Sequence, residues 1–184
     1  MNEMVKKVKQ CVKQIRTKTD FVPRVALILG SGLGAFADEI QIDTVIPYHE
    51  IDGFPVSTVP GHKGRFVFGY VGTTPVVIMQ GRVHYYEGYA MSDVVLPTRI
   101  MQLLGAEILF LTNAAGGISN KLKAGDLMMI TDQISSFVPS PLIGSNVEEW
   151  GVRFPSMDTI YDLELREILR KAADGITELR EGIY

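Results

Sequence analysis

The run Gly81-Arg82-Val83-His84-Tyr85-Tyr86-Glu87-Gly88-Tyr89 places a guanidinium, an imidazole, phenols and a carboxylate directly after an apolar stretch ending at Met79-Gln80. Arg82 and His84 are two residues apart, so in extended chain both side chains point the same way. Arginine offers a planar fork to anionic oxygens, and histidine offers a donor whose charge is adjustable near neutral pH. Tyr86 continues the alternation and presents a hydroxyl suited to a sugar. The plainer alternative is a surface turn with stray aromatics, but binding residues concentrate on loops of this kind.

Gly30-Ser31-Gly32-Leu33-Gly34 follows a second apolar run. Glycines allow a sharp turn that gathers backbone N–H groups into a concavity, and Ser31 adds a hydroxyl, which together make a plausible phosphate cradle. With Ala35 the same residues fit the G-x-G-x-x-A dinucleotide fingerprint. That rival needs a full crossover helix and then a strand ending in an acidic residue. Ala35–Ile40 has room for barely two turns, Pro47 interrupts the next β-like stretch, and Glu50 does not sit at a convincing strand end. The spacing therefore disfavours an oxidoreductase.

Two further loops join these. His62 lies in the basic, glycine-flanked turn Pro60-Gly61-His62-Lys63-Gly64-Arg65, which reads equally as an anion contact or a solvated loop. Asn113-Ala114-Ala115-Gly116-Gly117 is small enough to let a ligand approach the backbone closely. Small-residue loops at several strand ends predict one crevice along one edge of a sheet.

The elements that must hold these loops are legible from periodicity. Met4, Val5, Val8, Val12 and Ile15 mark an amphipathic helix over 4–16. Val25–Leu29 and Ile108–Leu111 read as buried strands. Phe66–Val71 and Pro75–Met79 flank a hairpin turn at Gly72-Thr73-Thr74. Ser92 is a candidate cap for a helix running to Leu104, with Pro97 tolerated or kinking it. Leu127–Thr131 is a further strand, Pro139, Pro141, Gly144 and Ser145 mark a long loop, and Leu163–Ala173 is a helix ended by Gly175. The last residues, Glu181–Tyr184, read as the entry to a strand that is cut short or completed by a partner, or as a frayed tail. The expected class is α/β, a mixed β-sheet flanked by helices, in a single domain over 1–184 that is incomplete at its C-terminal end.

Composition sets the outer limits. The chain has 184 residues, 46% hydrophobic and 21% charged, with 18 basic and 21 acidic side chains for a net charge of −3. That balance gives no broad footprint for nucleic acid or an anionic membrane, so any bound anion needs a local cluster. The lone Cys11 excludes an internal disulfide, favours a reducing compartment, and sits at helical spacing from Val8, Val12 and Ile15 as a buried small hydrophobe. The N-terminal lysines lack the pattern of a secretory signal, and no stretch reaches membrane-spanning length. A cytoplasmic location is expected.

Taken in order, Leu29-Gly30-Ser31-Gly32-Leu33-Gly34, Pro60–Arg65, Gln80–Tyr89 and Thr112–Gly117 closely resemble the trimeric purine nucleoside phosphorylases. Gly125-Asp126 and Arg153-Phe154-Pro155 before Met157 fit as well. The related methylthioadenosine phosphorylases differ in the histidine-tyrosine and asparagine-alanine segments. The resemblance implies reversible phosphorolysis of purine (deoxy)ribonucleosides to free base and (deoxy)ribose 1-phosphate. Inorganic phosphate would be a co-substrate, with no cofactor and no metal, and the assembly a three-fold homo-oligomer.

By the same resemblance, Ser31, His62, Arg82, His84 and the Ala114 backbone N–H hold phosphate, with Arg82 and His84 the catalytic pair. Tyr86 contacts the ribose, Ala115 and Gly116 line the base pocket, and Phe154 reaches a neighbouring subunit's sugar site. Glu87 and Asn113 support from behind. Family members run further, and their additional segment carries the glutamate and asparagine that read a 6-oxopurine, a second phosphate-binding serine, a ribose-contacting histidine and more strands and helices. Two outcomes follow for this chain: a working phosphorolytic transferase, or a non-catalytic fragment that keeps the phosphate loops.

Overall fold

In the computed structural model, which describes residues 2–57 and 63–184, the chain divides into two compact units, Met1–Ala114 and Ala115–Tyr184. The first opens with α1 (Glu3–Arg16), capped by the Asn2 side chain, which accepts from the Met4 N–H at 2.9 Å. Val5, Val8, Cys11 and Ile15 are buried, whereas Met4 and Val12, assigned to the same side by periodicity, are half-buried.

A five-stranded sheet follows, in the order β2-β3-β4-β1-β5. Its strands are β1 (Val25–Ile28), β2 (Gln41–Pro47), β3 (Arg65–Val71), β4 (Thr74–Gln80) and β5 (Ile108–Leu111). β4, β1 and β5 run parallel, whereas β2 and β3 are antiparallel, so the sheet is mixed as expected. The β3–β4 hairpin turns at Gly72, whose φ of +58° is the left-handed conformation that favours glycine.

Between β1 and β2 lies only α2 (Phe36–Glu39), a single turn, and β2 is antiparallel to its neighbour. Both facts exclude the crossover a dinucleotide fold requires. The helix expected from Ser92 is instead two pieces, α3 (Met91–Val94) and α4 (Leu96–Leu103). Pro97 cannot donate the backbone bond that would join them. Ser92 is not the cap; Ala90 precedes α3 with no side-chain cap.

One face of the sheet carries Ala26, Ile28, Phe66, Phe68, Val77 and Met79, all buried. α4 packs against α1 and β1 and buries Leu96, Ile100 and Met101. The opposite face is covered by Ala37 and Ile40 over Val67 and Ile78, but over β1 and β5 it opens into an apolar groove of about 470 Å³. Val25, Leu27, Phe36 and Phe110 line it. β1 is therefore buried on alternate residues rather than on both faces, and β5 is an exposed edge, with Leu111 55% accessible. The exposure reaches both faces of β5, with Phe110 on the groove side and Leu109 and Leu111 on the side of Ala26 and Ile28.

In the second unit β6 (Leu127–Asp132) pairs in parallel with β7 (Leu179–Ile183), with α5 (Leu163–Ala173) preceding β7. The Asp162 side chain caps α5, accepting from Leu165 N–H at 2.9 Å. Glu181–Ile183 thus belongs to a paired strand. Met129 is the buried hydrophobic residue of this unit. No helix among the described residues is long and apolar enough to cross a membrane.

Candidate active site

Strand register builds the site. Ile28 lies level with Met79 on one side and Leu111 on the other. Two residues beyond each come Gly30, Gly81 and Asn113, so three loops leave the sheet at the same height and at the same edge, the carboxyl ends of parallel strands.

The first loop is a tight turn closed by the Leu33 N–H donating to the Gly30 carbonyl at 3.2 Å, with Gly32 at φ +85°. Ser31 is exposed at its crest. Gly30 itself needs to be glycine for a different reason. A Cβ there would lie 2.7 Å from the Thr112 carbonyl oxygen and 2.8 Å from Asn113 Cα. The backbones of the β1 and β5 exits touch at this point.

Thr112 is the hub. Its hydroxyl accepts from the Gly30 N–H at 2.7 Å and donates to the Ile28 carbonyl at 3.2 Å, while its carbonyl accepts from Arg82 Nη1 at 3.1 Å. One residue thereby fixes both the glycine turn and the guanidinium. Sequence pattern alone gives Thr112 no role; a hydroxyl at a strand end opposite a glycine turn is the signal that marks it.

Arg82 and His84 do point the same way. Arg82 Nε donates to His84 Nε2 at 3.4 Å, and the far ring nitrogen, Nδ1, lies 2.9 Å from Glu87 Oε1. The same carboxylate oxygen accepts the His84 backbone N–H at 2.8 Å, and Ser57 Oγ donates to Oε2 at 3.3 Å. The Glu87 side chain is only 3% exposed, and these donors help to stabilise its buried charge. With the Nδ1 proton directed at the carboxylate, the ring is held in one orientation with Nε2 toward Arg82. Glu87 thereby holds both the ring and the backbone of His84.

The alternation does not extend to Tyr86, because Tyr85–Glu87 forms a 3₁₀ turn closed at Gly88, φ +90°. Tyr86 nevertheless stays with the cluster by stacking on the His84 ring, centroids 4.6 Å apart and planes 19° apart, and is 75% exposed. Asn113 and Ala114 are exposed at the β5 exit, where the Asn113 amide approaches the Ala114 carbonyl at 3.5 Å. His62 lies outside the described residues. Ala115, Gly116 and Phe154 belong to the second unit, where all three are exposed; Arg153 lies over the Phe154 ring at 5.3 Å.

An arginine fork, an oriented imidazole, a serine and a glycine turn at one sheet edge suit an anionic, phosphate-sized group held beside a hydroxylated partner. Comparison with known proteins agrees on the class. The phosphorylase superfamily pattern matches residues 24–184, and the chain belongs to that superfamily.

Within it the similarity is to purine nucleoside phosphorylases. The chain is 47% identical over 178 residues to purine nucleoside phosphorylase 1 of Geobacillus stearothermophilus, covering 96% of this chain and 65% of that relative. A crystal structure of purine nucleoside phosphorylase in complex with ribose-1-phosphate matches with TM-score 0.91 at 40% identity, over 98% of this chain and 68% of that one. A schistosoma purine nucleoside phosphorylase in complex with hypoxanthine matches with TM-score 0.91 at 39% identity, over 98% and 65%. The chain thus spans just under two thirds of the length of the curated relative it matches.

Proposed function

We propose that the activity built on this site is phosphorolysis of purine nucleosides, with inorganic phosphate as co-substrate and no cofactor. The observation that carries it is the Thr112 hub, which joins the Ser31 turn to Arg82 at the exit of three parallel strands. Relatives bound to hypoxanthine and to ribose-1-phosphate supply the two products such a reaction releases.

In this reading phosphate displaces His84 Nε2 as the acceptor for Arg82 and takes further bonds from Ser31, His62 and the Ala114 N–H. Tyr86, exposed above His84, offers its hydroxyl to the ribose. Phosphate then sits beneath the sugar while the glycosidic bond stretches. Its charge stabilises the oxocarbenium-like carbon, an oxygen of phosphate bonds to that carbon, and the departing purine takes the electron pair. Holding both substrates together removes much of the entropic cost of their meeting.

Ala115 and Gly116 would line the base pocket. Phe154, at 84% exposure, is available to a neighbouring subunit in a three-fold assembly. A cytoplasmic location, with a role in purine salvage, completes the reading.

The test is inosine phosphorolysis by the 184-residue chain with and without phosphate, alongside calorimetric titration with phosphate alone. Phosphate-dependent hypoxanthine release supports the reading in full. Saturable phosphate binding without turnover assigns the chain the anion site but not the reaction. A folded chain that neither binds phosphate nor releases base overturns it.

A further inference from the structure

Gln80 is a buried polar residue, at 2% exposure, and it has no part in the chemistry above. Its Nε2 donates to the Gly34 carbonyl at 2.5 Å, and its Oε1 accepts from Arg65 Nε at 2.7 Å. Gly34 closes the segment that carries Ser31, and its carbonyl also accepts the Ala37 N–H at 3.2 Å, beginning α2. Arg65 in turn donates to Asp38 Oδ1 at 2.7 Å, and Lys63 donates to Asp38 Oδ2 at 2.6 Å. Both ends of the stretch from Gly30 to Asp38 are therefore anchored: Thr112 holds the entrance and Gln80 with Arg65 holds the exit.

Gln80 occupies the last position of β4, two residues before Arg82. One strand end delivers the guanidinium that faces the anion and the amide that holds the opposing turn. A buried amide with both halves satisfied fixes geometry, because losing either bond strands a polar partner. We propose that Gln80 is a positioning residue that sets the Ser31 turn relative to Arg82 and thereby tunes phosphate affinity. The affinity part of this inference rests on the phosphate reading above.

Two variants test it. Gln80→Met removes both bonds at nearly constant length. Gln80→Glu keeps an acceptor for Arg65 while replacing the donor to Gly34 with a carboxylate oxygen that repels that carbonyl, so it remains informative if the first fails to fold. In the free chain, amide exchange over residues 30–34 is expected to quicken by about tenfold in either variant, on the scale of one lost buried hydrogen bond, while the β3–β4 ladder stays protected. Unchanged exchange at 30–34, or equal acceleration throughout the sheet, overturns the positioning role.

Phosphate titration then supplies the second readout. Affinity is expected to fall about tenfold in the Gln80 variants but to change little when Ser31→Ala is already present, because the two act through one turn. Strictly additive losses overturn the coupling. If the parent chain binds no phosphate, the functional reading fails, and the exchange measurement still decides whether Gln80 holds the turn.

Discussion

The two units of this chain solve the problem of placing side chains in different ways. The first buries Phe66, Phe68, Ile78, Ile100 and many more apolar side chains around a five-stranded sheet, and its candidate site is a set of strand exits locked by that core. The second pairs two strands, buries Met129, and leaves Ile118, Phe137, Ile143 and Phe154 more than three-quarters exposed. The groups proposed to grip an anion sit where packing fixes the backbone. Those assigned to base and neighbouring sugar sit on backbone that its own unit leaves open.

The largest expected difference is in stability. Phe66→Ala empties a fully buried position that packs against the Tyr48, Phe54 and Phe68 rings. It is expected to cost about 3–5 kcal/mol in urea unfolding. Phe154→Ala, at an exposed position, is expected to stay within about 0.5 kcal/mol. Comparable losses from the two would erase the contrast.

Ligand binding gives the next effect. Arg82→Ala is expected to lower phosphate affinity by roughly ten- to a hundredfold, the scale of a hydrogen bond to a charged group. Phe154→Ala, measured in the same calorimetric titration, is expected to leave phosphate affinity unchanged. A phosphate site that depends equally on both residues would contradict the assignment of the anion to the first unit.

What was legible beforehand follows the same division. Arg82, His84 and the Ser31 turn were readable because their geometry is local: alternation along a strand exit, and glycine where the chain must turn. Gln80 and Thr112 were not, because their bonds reach 46 and 82 residues away, and no local pattern records the partner. Tyr86 was placed by an alternation that a 3₁₀ turn cuts short. The exposure of β5 was missed for a different reason: hydrophobicity reports what a strand tolerates, while burial depends on which helices arrive to cover it.

A pair of glycines sharpens the comparison at single-atom scale. Gly30→Ala drives a methyl to 2.7 Å from the Thr112 carbonyl, backbone against backbone, and is expected to cost about 1–3 kcal/mol while weakening phosphate. Gly116→Ala meets nothing within 4 Å and is expected to be neutral or slightly stabilising, through a less flexible unfolded chain. Thermal unfolding of both variants reads the difference. A neutral Gly30→Ala would mean that the β1 and β5 exits do not approach as described.

The smallest effect concerns acid. Hydrogen bonding from Lys63, aided by the charges of Lys63 and Arg65, holds the Asp38 carboxyl below its ordinary value of 3.8. In the second unit hydrogen bonding from Arg170 does the same for Glu181, ordinarily 4.5, with the Arg170 and Arg166 charges adding to it. A carboxyl held low in the folded state contributes stability that is present above its unfolded value and is lost as pH falls through the folded one. Both pairs are exposed, so each contribution is modest and screened by salt. The second unit has little buried apolar surface to fall back on, so acid should register there first. Amide exchange along β6 is expected to quicken below about pH 4.5 before that of β4 does, and Glu181→Gln is expected to flatten this pH dependence. If β4 loses protection first, or Glu181→Gln leaves the acid response of β6 unchanged, the ion pair rather than the core is the wrong place to look for what holds the second unit together.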